Sequence, residues 1–458
     1  MRGSNPYPIG DSSCNKASKK KIENEQQLHI GMEITADKRI YNTKLFTPMN
    51  NINRPLGAME KIFLLLDQIS QVHFVIAAEI IGTKTIIEWR KALDALQARH
   101  PFLSVCIKNN GFDYPFFQHE DKTKIPLRVV EENGNYRWEK ELEKELSMPF
   151  DSTQTPLVRA VLVQQGQKSI FIFSSHHAIG DGMSGLIIIN DLLKSLSGQQ
   201  LLPLAAPDSS DNLLGITNDY YERVDGVSSI SDTLDQPVFI RRDEAMPFVE
   251  RSQLSSEFTL RLSNRCKAEG TTIHGALCTA FVMAGKEIEK DWKNKPIRLV
   301  SPASSRKALN TNDSMAQYIV SKTIIYPEQT ELAFWDMARF SKRELEGISS
   351  LESIKTSIEI ASQLVFNAKD VMEISNLLQK GVAREIMLTN LGRLPYQTDF
   401  GTLKLEGIWG PLALSGYKGD QTIGVTTTNG SMRLVHVSRI PLKPLLRVAE
   451  NILIAACK

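Results

Sequence analysis

Between residues 169 and 193 the chain changes character twice within a few positions. Ser169-Ile170-Phe171-Ile172-Phe173 is apolar and β-prone, the pattern of a buried strand. Leu186-Ile187-Ile188-Ile189-Asn190-Asp191-Leu192-Leu193 reads as a helix packed on a core. Between them stands Ser174-Ser175-His176-His177-Ala178-Ile179-Gly180-Asp181-Gly182-Met183-Ser184-Gly185. A strand-to-helix turn therefore carries two histidines, an aspartate and three glycines within its central stretch. Such a turn can bring a base and free backbone N–H groups to one point.

Adjacent residues on an extended strand point to opposite faces, so His176 and His177 cannot both address one substrate. One faces the site; the other packs or anchors the strand. The same geometry argues against a metal centre, which needs several ligands converging on one ion. Nor does the sequence hold a second His/Cys cluster to supply the missing ligands.

The rest of the chain suits a globular protein built around that turn. Its 458 residues are enough for two lobes, each of roughly 200 residues with its own core. A net charge of +2 gives no electrostatic case for nucleic acid. The apolar runs fall short of the ~18–20 residues that span a bilayer, and the polar N-terminus shows no secretory signal. Cys14, Cys106, Cys266, Cys278 and Cys457 are scattered without CxxC spacing, and a reducing cytoplasm is the expected compartment.

In chain order, residues 1–48 are rich in Asn, Ser, Lys and Gly and read as a flexible tail. A first lobe is expected over 49–205, a turn-rich crossover over 206–250, and a second lobe over 251–458. In the first lobe, Thr85 to Gln97 has helical spacing and runs into Ala98-Arg99-His100-Pro101-Phe102-Leu103, where Pro101 stops the helix. In the second, Phe258-Thr259-Leu260-Arg261-Leu262 reads as a strand. Gly270-Thr271-Thr272-Ile273-His274 opens a helix capped by one of the threonines, which makes His274 a second histidine to watch. Pro296 to Pro302 is a buried strand leading to Arg306, and Asn390-Leu391-Gly392-Arg393 follows a strand at 385–388.

His176 to Gly182 matches the HHxxxDG motif, and in this the chain resembles the condensation-domain-like acyltransferase superfamily. Flanking segments agree in order: Leu56 to Glu60 with an L-x-x-x-E opening, Arg99 to Leu103 with RHExLR, and Phe150 to Arg159 with FDLxxxPLxR. Thr389 to Pro395 is similar to the SNLG segment of the alcohol acyltransferase and phthiocerol/phthiodiolone dimycocerosyl transferase branch, and no Asp-Phe-Gly-Trp-Gly of plant BAHD enzymes is present. The resemblance spans about residues 55–455.

It implies an α/β fold of two chloramphenicol-acetyltransferase-like lobes with a tunnel between them. It implies acyl transfer from a coenzyme A or phosphopantetheinyl thioester to a hydroxyl or amine, with His177 as general base and no covalent acyl-enzyme. His176, Asp181, Gly182 and Arg306 would support the site, with Asp181 salt-bridged to Arg306 and turned from the substrate. The alternative, Asp181 orienting His177 as in a triad, would bring the carboxylate to the ring instead. The N–H of Gly182 and the amide of Asn390 are the oxyanion candidates. Expected partners are acyl-CoA or an acyl carrier protein and a small-molecule or lipid acceptor, for a monomer holding no permanent cofactor. Two other readings share the motif: amide formation between carrier proteins, and a non-catalytic carrier-binding module.

Overall fold

The computed structural model describes residues 52–109, 115–131, 137–216, 246–311, 313–328, 332–367, 384–414 and 416–458. The expected tail, and residues 217–245 of the expected crossover, lie outside the described residues. Asn50–Lys458 forms one compact unit.

Among the described residues two six-stranded sheets dominate. The first runs, edge to edge, Asp399–Phe400, Leu403–Ala413, Phe74–Ile81, Lys168–Ser175, Val158–Gln165 and Leu127–Glu131. Its pairings are antiparallel except the last, where Leu127–Glu131 lies parallel to Val158–Gln165. The second runs Ile319–Tyr326, Ile297–Ser304, Ile386–Arg393, Gln421–Thr428, Ser431–Ser438 and Phe248–Leu254. A small three-stranded sheet joins Asn53–Pro55, Pro115–His119 and Val105–Asn109.

Each large sheet buries one face under helices. Phe74, Ile76 and Ala78 alternate toward a core shared with Trp89, Leu93 and Leu96 of the helix Ile86–Arg99 and with Leu186, Ile189 and Leu193 of the helix Gly182–Leu196. Ile297, Leu299, Ile423 and Val425 do the same beneath the helix Ile273–Ile288. The intervening residues Val75 and Ala77 turn the other way and join Val435 and Val437 of the second sheet in a third core. The strand 168–175 is thus apolar on both faces, and its run of Ile and Phe reflects a sheet covered on both sides.

One expectation needs correction. Residues 256–268 are a helix, where a strand at Phe258–Leu262 was expected. Ser255 Oγ accepts the Phe258 N–H at 3.1 Å and starts the helix. Phe258, Leu262 and Cys266 are buried at four-residue spacing, a period the five-residue window cannot distinguish from alternation. Sheet membership does not follow chain order. Leu403–Ala413 lies in the second half of the chain but pairs with Phe74–Ile81 of the first sheet. It also crosses close to the second sheet: a Cβ on Gly424 would lie 2.1 Å from the Pro411 carbonyl, so only glycine allows the approach. The expected crossover also includes a short helix, Ser210–Leu214, whose Asp211 accepts the Ala58 N–H at 3.1 Å and so caps the helix Ala58–Ile69 of the first lobe.

Candidate active site

The motif strand ends at Ser175 and the motif helix begins at Gly182, with both histidines in the turn between. Asp181 starts that helix. Its carboxylate accepts the Ser184 N–H at 2.9 Å, while the Asp181 N–H donates to Ser184 Oγ at 3.2 Å, a reciprocal cap. The other carboxylate oxygen accepts from Arg306 Nη1 at 2.5 Å and from the Tyr318 N–H at 3.0 Å. Arg306 continues through Nη2 to Ser184 Oγ at 2.8 Å and to the Ala316 carbonyl at 2.7 Å. Asp181 is wholly buried and Arg306 nearly so. Burial alone would raise the Asp181 carboxyl, but the Arg306 guanidinium and the N–H groups of Ser184 and Tyr318 hold it below the usual carboxylate range. Residues 314–318 therefore clamp the start of the motif helix, and the clamp comes from the far side of the chain.

His176 is fully buried. Its Nδ1 accepts the Ala178 N–H at 3.1 Å, and its Nε2 lies 3.7 Å from Asp67. Its backbone N–H donates to the Leu157 carbonyl at 2.9 Å, tying the turn to the segment before the strand Val158–Gln165. His177 turns the other way. Its ring stacks on Phe63, with centroids 4.2 Å apart and planes within 8°, and meets Phe74 edge-on at 5.3 Å. The ring is only half-buried, and its Nδ1 is enclosed without a hydrogen bond of ordinary geometry. Burial pushes the imidazole down to about 4, the Asp181 charge opposing and His176 adding to the effect. His177 is accordingly neutral at pH 7.

The three motif glycines are each crowded by a different element. A Cβ on Gly180 would sit 3.3 Å from Met315, one on Gly182 2.9 Å from Pro411 and 3.1 Å from Leu391, and one on Gly185 2.9 Å from Ile76. Gly182 opens the helix, where its N–H has no carbonyl one turn back to bond. Asn390 precedes Leu391 in the strand Ile386–Arg393, which extends past the 385–388 expected. Its Oδ1 accepts the Gly392 N–H at 2.8 Å, so the carboxamide is anchored by its oxygen and its NH₂ remains for donation.

Several contributors carry weak sequence signals. Ser184 stands three residues after Asp181, the spacing of a capping pair, and could have been found that way. Phe63, Ala316 and Tyr318 come from distant elements, and nothing local marks them. His100 closes the helix Ile86–Arg99 and bonds Asp191 of the motif helix through Nε2 at 3.0 Å, and Arg99 reaches the same oxygen at 2.6 Å. Arg159 bonds Glu145 at 3.0 Å and lies over the Phe150 ring at 3.9 Å. Cys106, Cys266 and Cys278 are buried. Among the described residues no group of three His, Cys, Asp or Glu side chains could hold a metal, and no helix is long and apolar enough to cross a membrane.

A strand–HHxxxDG–helix turn, locked by a buried aspartate–arginine pair between two sheet-and-helix lobes, defines a condensation-type fold. Residues 73–207 match the model of the Condensation domain family. Surfactin synthase subunit 2 of Bacillus subtilis (strain 168) is 22% identical over 81% of this chain, and tyrocidine synthase 3 of Brevibacillus parabrevis is 30% identical over 25%. The chain spans 11% and 2% of those proteins' lengths. Among solved structures, polyketide synthase associated protein 5 from Mycobacterium tuberculosis aligns with a TM-score of 0.65 at 14% identity, covering 89% of this chain and 98% of that one. Trichothecene 15-O-acetyltransferase from Fusarium sporotrichioides aligns with a TM-score of 0.62 at 14% identity, covering 89% and 95%.

Proposed function

We propose that the protein transfers an acyl group from a thioester, carried by coenzyme A or a phosphopantetheinyl arm, to a hydroxyl or amine. The observation that carries this reading is the state of His177: neutral, held flat against Phe63, and only half-buried. An acceptor O–H or N–H would donate its proton to Nε2 as its heteroatom attacks the thioester carbonyl. The oxyanion that forms would be met by the Gly182 N–H and the Asn390 amide, and the departing thiolate would recover the proton from His177. A thioester is already activated, so attack can be direct and no acyl-enzyme is needed at this site. Asp181 has no part in proton transfer: its oxygens serve Arg306, Ser184 and Tyr318, which disfavours a triad role. His176 is a positioning residue. The tunnel expected between the lobes would lead both substrates to the Nε2 edge.

The synthase relatives favour a second reading, amide formation between two carrier-bound substrates. Offering the same thioesters on coenzyme A and on a carrier protein, with alcohol and amine acceptors in turn, separates the two. Thiol release followed colorimetrically should fall ~10²–10⁴-fold in His177→Ala, the usual contribution of a general base. Turnover equal to wild type in that variant would refute the assignment, and absence of turnover with every donor would favour the carrier-binding module.

A further inference from the structure

The second lobe carries a nucleophile–base pair that the reading above does not use. Ser301 Oγ lies 2.6 Å from His274 Nε2. Ser301 follows Ile297 and Leu299 on one face of its strand, and both of those pack under the helix Ile273–Ile288. The face turns polar at Ser301, where it meets the start of that helix. There Thr272 caps, its Oγ1 accepting the Gly275 N–H at 3.0 Å and its carbonyl accepting the Ala276 N–H. The N–H groups of Ile273 and His274 are left over by both the cap and the ladder, as the first residues of a helix leave them.

The strand Ile297–Ser304 is in register with Ile386–Arg393 at Leu299–Ile386 and Val300–Met387, and Ser301 is the first residue past that paired stretch. On its other side it faces Lys322, an exposed cation. Ser301 itself is buried, and His274 is half-buried. Burial pushes His274 down to about 4, which leaves its ring unprotonated at pH 7.

We propose that Ser301 and His274 form a second acyl-accepting centre, a serine–histidine dyad reactive toward activated acyl esters and thioesters. In the step assigned to it, Ser301 Oγ attacks the acyl carbonyl carbon and its proton passes to His274 Nε2. The carbonyl oxygen takes up the negative charge beside the N–H groups of Ile273 and His274. The intermediate collapses with cleavage of the carbon–sulfur or carbon–oxygen bond, and the leaving thiolate or alkoxide takes the proton from His274. The product is a Ser301 ester, which water cleaves by the reverse sequence of proton transfers. This inference is independent of the role given to His177.

The test uses the full chain and a fluorophosphonate probe, which labels activated serines irreversibly, with sites located by peptide mass mapping. Ser301 is expected to be the labelled residue in wild type. His177→Ala should be labelled at the wild-type rate, and His274→Ala more slowly by ~10² or more, the loss expected for a missing base. Ser301→Ala should show no label on that peptide. Circular dichroism establishes that each variant is folded. Folded wild-type protein left unmodified at Ser301, labelled only elsewhere, or labelled equally fast in His274→Ala would overturn the proposal. Failure of thioester turnover through His177 would leave it standing.

Discussion

Removing both halves of the Asp181–Arg306 pair should cost clearly less than the sum of the two single removals. Asp181 has no exposed surface and Arg306 is 4% exposed, so each charge depends on the other for what water would supply. Asp181→Ala leaves the guanidinium buried with Ser184 Oγ and the carbonyls of Ser314 and Ala316 as its polar partners. Stranding a buried charge costs ~3–5 kcal/mol, and loss of the helix cap adds about 1 kcal/mol. Arg306→Met leaves the carboxylate with the Ser184 and Tyr318 N–H groups, for a similar ~3–5 kcal/mol. The double variant strands no charge, and the coupling between the two sites should reach ~2–3 kcal/mol, well outside the ~0.5 kcal/mol of independent sites. Equilibrium unfolding in guanidinium chloride, with the slopes compared across all four proteins, gives the cycle. The pair is also pH-linked. The folded-state carboxyl is held below its unfolded value, so its stabilisation is full above that value and is lost as pH falls through the folded one. A coupling below ~0.5 kcal/mol, or an Asp181→Ala variant as stable as wild type, would refute the reasoning.

Because His177 sits at about 4, the acid limb of kcat/KM should have its midpoint near pH 4, against the ~6.5 of an ordinary imidazole; a midpoint at 6–7 would show that the ring is not the buried neutral base described. His73 and His436, both near 3, bind fewer protons folded than unfolded below pH ~6.5. Stability should therefore be independent of them above that pH and fall by up to ~1.4 kcal/mol per pH unit for each as pH drops toward 3, measurable by denaturant titration at a series of pH values. Gly182→Ala should be less stable by ~1–3 kcal/mol and lose turnover, since the new methyl meets Pro411 and Leu391 where the helix start lies against them; a variant as stable and active as wild type would show that this contact yields freely. Native protein should resist alkylation at Cys106, Cys266 and Cys278, and burial pushes Cys266 up to about 12; rapid loss of these thiols to iodoacetamide would contradict their packing.

What the sequence discloses depends on whether a residue's partners are near it in the chain. The motif strand, the turn and the motif helix are specified locally, by an apolar run, an Asp cap and a capping partner three residues on, and these can be read without a structure. Side-chain alternation separates His176 from His177 in the sequence, and in the structure, where both lie in the turn past the strand, His176 is buried and His177 half-buried. The Phe63 ring that holds His177 lies more than a hundred residues earlier, and as one apolar residue among several on its helix it has no distinguishing mark. The same limit accounts for the strand Leu403–Ala413, which is not among those expected from the sequence and whose own residues say nothing of the sheet it joins. The glycines hold part of that missing information. Gly182 adjoins Pro411 and Leu391, Gly407 adjoins Arg433, and Gly424 adjoins Pro411. Each stands where two elements distant in sequence approach closer than a side chain allows. Such close approaches run through positions that have no side chain, and a pattern built from side chains passes over them.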